Sequence, residues 1–215
     1  GLQIGVVTDN EDPENEFRVR VRLPLVDPAS DGVWARVAAD GAGDQRGVMI
    51  RPEIGDEVVV GFLDDDPRAA VILGMLHSSA KAAPLTPSND NHEKVFVSRS
   101  GIKMHINDDK VVLTITTPAE QQLIFDDDQG SVLLKDKNGN SIKLDSDGIT
   151  VESAKALNIK TGTDTKLDIG AAGEIKTAAA LDIKAGAALK LEGSGGLEAT
   201  TPAIAKLKGS LVQIN

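Results

Sequence analysis

Cysteine is missing from all 215 residues, which excludes disulfides, cysteine-ligated metal centres and cysteine nucleophiles. Aromatic side chains are nearly missing too, with one Trp, four Phe and no Tyr. A compact core of this length ordinarily holds more large rings, so much of the chain is expected to pack without one. Bases are outnumbered, 23 against 33 acids, and the formal charge of -10 argues against a phosphate-backbone ligand, which needs a basic surface. No apolar run approaches the ~20 residues that span a bilayer.

What is present divides into two halves with different grammar. Residues 1–90 carry 16 acids and 8 bases, and residues 91–215 carry 17 and 15. Every Arg but Arg99 lies in the first half, and Lys dominates the second. The first half reads as short strands. Phe17-Arg-Val-Arg-Val-Arg-Leu23 alternates with period two and stops at Pro24. Val33-Trp-Ala-Arg-Val37 follows the turn Asp31-Gly32. Then come Gly47-Val-Met-Ile50, Glu57-Val-Val-Val-Gly-Phe-Leu63 and, after Asp66-Pro67, Val71-Ile-Leu73. Strands at this spacing with turn residues between them predict a small barrel or sandwich. Closure into a barrel would remove exposed edges. Residues 77–98 are polar and rich in Pro, Ser and Asn, and read as a connector.

From residue 149 the sequence repeats every eight residues. Val151, Ile159, Leu167, Ile175, Ile183, Leu191, Ala199 and Leu207 are apolar, and both neighbours of each are polar. A weaker apolar series, Ile149, Leu157, Leu181, Leu189 and Leu197, lies two residues earlier. Three residues after each anchor stands a small or turn residue: Ala154, Gly162, Gly170, Ala178, Gly186, Ser194, Pro202 and Ser210. Each octad therefore reads as a short alternating strand and a tight corner. On a helix the anchors would rotate by ~80° per octad, which disfavours that reading despite the abundant Ala and Lys.

An octad is too short to wrap a core. Eight residues make one side of a triangle, and three chains that each give one side per level would close it. A homotrimeric, intertwined β-helix is the simplest solution; a single-chain solenoid with three octads per coil is the alternative. Eight octads, each advancing one strand spacing, give a needle of about 40 Å. Residues 99–150 follow the same plan with longer units. Ile102/Met104/Ile106, Leu113/Ile115, Leu123/Phe125, Val132/Leu134 and Ile142/Leu144 alternate, separated by turns such as Asp126-Asp-Asp128 and Asn138-Gly139.

These features, taken in order, resemble the VgrG and phage baseplate-assembly-V central spike family of contractile injection systems. In the first half the resemblance rests on Gly5-x-Val7, Asp9-Asn-x-Asp-Pro13, Arg18-Val-Arg-Val21 with Pro24, Trp34-Ala-Arg-Val37 and Gly41-Ala-Gly43. It continues through Pro52-Glu-x-Gly-Asp-Glu-Val58 and Asp66-Pro-Arg68. Ser98-Arg-Ser-Gly101 and Asp136-Lys-Asn-Gly-Asn140 extend it into the second half. The resemblance implies an all-β chain: an OB-fold head over 1–80, a linker over 81–98, a strand-rich transition over 99–150 and a trimeric β-helical needle over 151–215. One departure stands in the head, where Asn15 and Phe17 replace the glycines usual before the Arg18 strand. The turn there is expected to differ.

The function implied is a structural spike that punctures a target envelope and carries a tip. Its trimer core would be Val151, Ile159, Leu167, Ile175, Ile183, Leu191 and Leu207. The chain ends Gly209-Ser-Leu-Val-Gln-Ile-Asn215, without the His-x-His of metal-tipped relatives. A separate PAAR-like tip protein is therefore expected on Leu207, Leu211, Val212, Gln213, Ile214 and Asn215, with baseplate hub or tube proteins at the head. Assembly in the cytoplasm into a phage-tail-like particle, delivery to or beyond the target envelope and transient membrane contact follow. A trimeric receptor-binding fibre or adhesin stem is the alternative.

No catalytic residue, metal site or cofactor is expected. His77, His92 and His105 match no zinc spacing. Asp64-Asp-Asp66 and Asp126-Asp-Asp128 lack the spaced ligands of a calcium loop and read as solvated turns. No nucleophile elbow, phosphate loop or dinucleotide fingerprint occurs. Nucleic-acid binding by the head is disfavoured by its charge and its few rings, of which Trp34 reads as core.

Overall fold

The computed structural model describes residues 1–213. It is all-β apart from one 3-10 turn, Leu63–Asp65. Five strands close a barrel: β1 (Gln3–Asp9), β2 (Val19–Arg22), β3 (Val33–Val37), β6 (Glu57–Phe62) and β7 (Ala70–Leu76). Around the barrel the order is β1-β2-β3-β7-β6, antiparallel except for the parallel pair β3–β7. Between β3 and β6 lies a small ribbon of β4 (Ala42–Gly43) and β5 (Arg46–Gly47). The sequence expectation of a strand over 47–50 is corrected: Val48, Met49 and Ile50 lie outside any strand and are exposed. β1 carries Ile4, Val6 and Thr8 at period two, a strand signal that the sequence reading above does not use.

The barrel interior is filled by Val7, Val19, Val21, Ala35, Val58, Val60, Ala70 and Ile72. Alternation decides this, since Val19 and Val21 point in while Arg20 and Arg22 point out. Medium β-branched side chains fill a five-stranded barrel without a ring. Gly5 also faces inward, and a Cβ there would overlap Cγ1 of Val21, so glycine lets β1 close against β2. Trp34 is not core. It sits on the outer face opposite Arg20, whose guanidinium lies 5.0 Å from the ring centroid.

Seven further strands form an antiparallel meander: β8 (Glu93–Val97), β9 (Lys103–Asn107), β10 (Val112–Thr116), β11 (Gln122–Asp126), β12 (Ser131–Lys135), β13 (Ser141–Asp145) and β14 (Gly148–Glu152). β8 falls inside the segment expected to be linker. Val95-Phe-Val97 is a β-branched and aromatic run, and pairing with β9 draws it into the sheet. β14 runs across the expected boundary at 150.

Barrel and meander belong to one unit, Gly1–Asn158, and a second unit begins at Ile159. Arg99 pairs with Glu53 at 2.9 Å, and the Lys81 ammonium donates to the carbonyl of Gly55. In the second unit no described residue forms a strand, yet the chain bends at fixed intervals. Bends fall at Gly162, Gly170, Ala178, Gly186, Ser194, Pro202 and Ser210, with Ala154 continuing the series backwards into the first unit. The expected corners are thus present, whereas among the described residues the segments between them pair into no strand.

Candidate functional site

The register of the meander sorts its side chains by face. Phe96 opposes Met104, and Met104 and Ile106 oppose Ile115 and Leu113. These in turn oppose Leu123 and Phe125, then Leu134 and Val132, then Ile142 and Leu144, and finally Val151 and Ile149. One face is therefore apolar across all seven strands, interrupted only by Lys94 on β8. The other face is mostly polar, with Thr114, Gln122, Lys135, Lys143 and Glu152 among its groups, but it also holds Val95, Val97, Val112, Ile124 and Leu133. An antiparallel sheet of this kind needs cover on one side only. Nothing within the described residues supplies it, and Phe96, Phe125, Leu134 and Ile142 stay exposed.

The apolar pairing passes directly into the octads: Ile142/Leu144 and Ile149/Val151 are followed in sequence by Leu157/Ile159. The expected trimer-core residues are placed as follows. Val151 sits on β14 beside Ile142. Ile159, Leu167, Ile175, Ile183, Leu191 and Leu207 lie along the second unit with 60% (Ile183) to 80% (Leu167, Leu207) of their surface exposed. The fold of one chain does not bring them together. Their polar neighbours do meet. Lys166 pairs with Asp168 at 3.1 Å, Lys176 with Glu174 at 2.9 Å, and Lys190 with Glu192. Each pair flanks one anchor, so both charges share the side opposite it, as in an extended chain. Such exposed pairs contribute little energy, but they report the octad register.

Of the residues expected to hold a tip partner, Leu207, Leu211, Val212 and Gln213 are exposed. Ile214 and Asn215 lie outside the described residues.

One chain exposes 17831 Å², nearly twice the ~9,500 Å² that size scaling gives for a compact 22.5 kDa monomer. The excess is about ten times the ~800 Å² that each partner buries in a standard interface. A surface of this kind belongs to a chain that completes its fold with other chains.

Two loops built on a single carboxylate hold the frame. In the first, Asp12 accepts from the backbone N–H groups of Glu14, Glu16 and Arg18 and from the Arg18 guanidinium at 2.8 and 3.1 Å. The Arg18 side chain, aided by the backbone donors against partial burial, holds Asp12 well below the usual carboxylate range. Asn15 and Phe17 adopt φ of 55° and 59° here. The turn therefore holds two left-handed residues without glycine.

In the second loop, Asp136 accepts from the backbone and side-chain N–H groups of Asn138 and Asn140. The Asn140 backbone donor is the largest influence holding its carboxyl low. Asn140 Oδ1 then accepts from the N–H of Ala154 at 3.0 Å, which pins the first octad corner to the sheet. Sequence reading marked Asn138-Gly139 as a hairpin but missed this clamp, because its partner lies 14 residues on. Of the aspartate runs, Asp126 caps its own turn by accepting from the Gln129 N–H at 2.8 Å. Asp66 pairs with Arg68 at 2.9 Å. His105 pairs with Glu93 on the polar face of the sheet. Among the described residues no group of three or more His, Asp or Glu is placed to hold a metal ion.

A closed barrel, a sheet apolar on one face and a chain that bends every eighth residue define an all-β stem protein with a barrel head. Comparison with known families agrees on both parts. Residues 3–77 match the type VI secretion system/phage-baseplate injector OB domain. Residues 110–215 match the phage baseplate V C-terminal trimerisation domain. The chain belongs to the VgrG and phage baseplate V family of spike proteins of contractile injection systems.

Among curated proteins it is similar to the type VI secretion system spike protein VgrG3 of Vibrio cholerae, 37% identical over 75 residues, which is 33% of this chain and 7% of that protein. It is also similar to spike protein VgrG5 of Pseudomonas aeruginosa, 34% identical over 67 residues, 31% of this chain and 8% of that protein. The actin cross-linking toxin VgrG1 of Vibrio cholerae is 36% identical over 74 residues, 32% of this chain and 7% of the toxin. The matches thus span less than a tenth of each of these three relatives.

Proposed function

We propose that three copies of this chain intertwine into the central spike of a contractile injection apparatus, which punctures a target envelope and carries a tip protein. The observation that carries this reading is the apolar stripe that runs across the meander and on along the octad anchors, exposed in one chain. Three copies turn that stripe inward, with Val151, Ile159, Leu167, Ile175, Ile183, Leu191 and Leu207 on the axis and the Lys/Glu and Lys/Asp pairs in water. Each octad then gains strand partners from two neighbours, since the described residues of the octads after Glu152 form no strand within one chain. The match of residues 110–215 to a trimerisation domain supports the stoichiometry.

Leu207, Leu211, Val212 and Gln213 are exposed in one chain, and with Ile214 and Asn215, which lie outside the described residues, they are the segment that three chains offer to a tip partner. Clustered apolar side chains attract a partner, and a small PAAR-like protein is the one proposed. The head faces the baseplate hub. The particle assembles in the cytoplasm and the spike is delivered to or beyond the target envelope, touching its membrane in passing. The role is mechanical, without hydrolysis.

Light scattering of the purified chain in dilute buffer tests the core of this reading. A trimeric mass is expected; a monomeric mass with intact β-sheet circular dichroism would overturn it in favour of a single-chain solenoid. Deleting 210–215 is expected to leave the trimer assembled and to abolish binding of the tip partner. Undiminished binding would remove this segment from the proposal.

A further inference from the structure

The family's trimerisation domain begins at residue 110, but the apolar surface does not. β8 is an edge strand of the meander, and its Phe96 opens the apolar face through its pairing with Met104. Beside Phe96 lies an open groove of about 680 Å³ that runs onto the barrel, with Met49, Ile50, Met75 and Leu76 among its walls. All five side chains are exposed, Met49 by 65%. Met49 and Ile50 stand on the segment after β5 where the sequence predicted a strand and the chain left one unformed. β7 pairs Met75 with Val58 and Leu76 with Glu57 of β6, and both side chains stay exposed.

The rim of this groove carries two ion pairs, Arg99 with Glu53 at 2.9 Å and Lys81 with Asp56 at 3.5 Å. Arg51 also lines it, with its guanidinium donated to the backbone carbonyls of Asn10 and Arg18. An apolar floor inside a polar rim is the pattern of a protein interface. Methionine suits such a floor, because its flexible thioether adapts to an incoming surface.

We infer that this groove receives a neighbouring copy of the same chain, so that the trimer interface starts on the barrel and not at the trimerisation domain. The argument for that occupant is continuity. Phe96 belongs both to the apolar face of the sheet, where it opposes Met104, and to the groove that Met75 and Met49 line, so a neighbour that covers Phe96 reaches both. The inference rests on the trimer reading above and adds to it a contact between head and neighbour. It gives the head a fixed orientation on the stem, which the polar connector over 77–92 would not provide alone.

The chain contains no cysteine, so single reporters are clean. Full-length Met49→Cys and Leu25→Cys are labelled with a maleimide under native conditions and in urea, and each native sample is sized by light scattering. Leu25, 84% exposed on the loop after β2, serves as the open reference. The expected result is a trimer in which Met49→Cys labels at least ten-fold more slowly than Leu25→Cys, with equal rates in urea. Should Met49→Cys disturb assembly, Met75→Cys reads the same groove. A trimer whose groove cysteine labels as fast as Leu25→Cys would overturn the inference and leave the trimer standing. That outcome would open the groove to a different partner. A monomeric mass would overturn the trimer reading, and the inference with it.

Discussion

The barrel and the octad region are written in the same alternation of Val, Ile and Leu with charged residues, yet only one of them hides its apolar side. In the barrel, Val19, Val21, Val58 and Val60 are fully buried. Along the octads, Ile175 and Leu191 keep most of their surface in water. The difference lies in where each strand finds its partners. β1 pairs with β2 on one side and β6 on the other, and the sheet closes on itself. An octad turns away after a few residues and meets no strand of its own chain. Apolar periodicity thus specifies which face must be covered but not which chain covers it. The meander is the intermediate case: its strands pair with one another, apart from the outer edges of β8 and β14, while its apolar face stays uncovered.

The comparison breaks most sharply at Ile183. Under the trimer reading, Ile183→Asp sets three carboxylates at one level of the axis, and burying each unpaired ion costs several kcal/mol. Loss of the trimer by light scattering is expected, while the barrel's near-ultraviolet signal from Trp34 persists. Lys184→Asp, one residue on, is expected to leave the mass unchanged. Equal effects from the two substitutions would show that the octad register is wrong.

Gly5→Ala makes the converse test, because its new Cβ would overlap Val21 inside the barrel. Overpacking of this kind costs roughly 1–3 kcal/mol. The barrel's melting transition is expected to fall by several degrees with the trimeric mass intact. A parallel loss of the trimer would show that head and stem fold as one cooperative unit.

Acid sharpens the comparison further. Asp12 and Asp136 are both held below the ordinary carboxylate value of 3.8 in the folded chain. The stability they add is therefore complete above that value and is lost as the pH falls through their lower folded values. Asp12→Asn is expected to lower the barrel's melting temperature at pH 7, with the gap to the parent chain closing below pH 3.8. A gap that stays constant with pH would show that the Asp12 carboxylate contributes shape and not charge.

The smallest effect is expected at Phe17. Its φ of 59° is a conformation that costs a non-glycine residue roughly 1–2 kcal/mol. Phe17→Gly removes that strain but adds chain entropy and gives up the Arg51 contact, 5.7 Å from the ring centroid. A rise of a degree or two in the barrel's melting temperature is expected by scanning calorimetry. A fall would mean that the Arg51 contact outweighs the backbone strain.

The sequence by itself determined the local pattern. The octad anchors, the small residues at the corners and the alternating pairs from Met104 to Leu144 are all legible from spacing, because extended chain has period two and a bend needs a small or turn residue. The resemblance to a spike family was legible as well, through short motifs kept in order. Tertiary structure decided what depends on distant partners. It closed the barrel through the parallel pair β3–β7, which no local signal announces, and made Gly5 a closure point. It placed Trp34 on the outer face by pairing it with Arg20, and drew β8 out of an apparent linker by offering it the edge of β9. It joined Asn140 to Ala154 across 14 residues, so that a hairpin loop holds the first corner of the repeat. The common reason is that alternation is a property of neighbouring residues, whereas pairing and cover are supplied by strands far away in the chain.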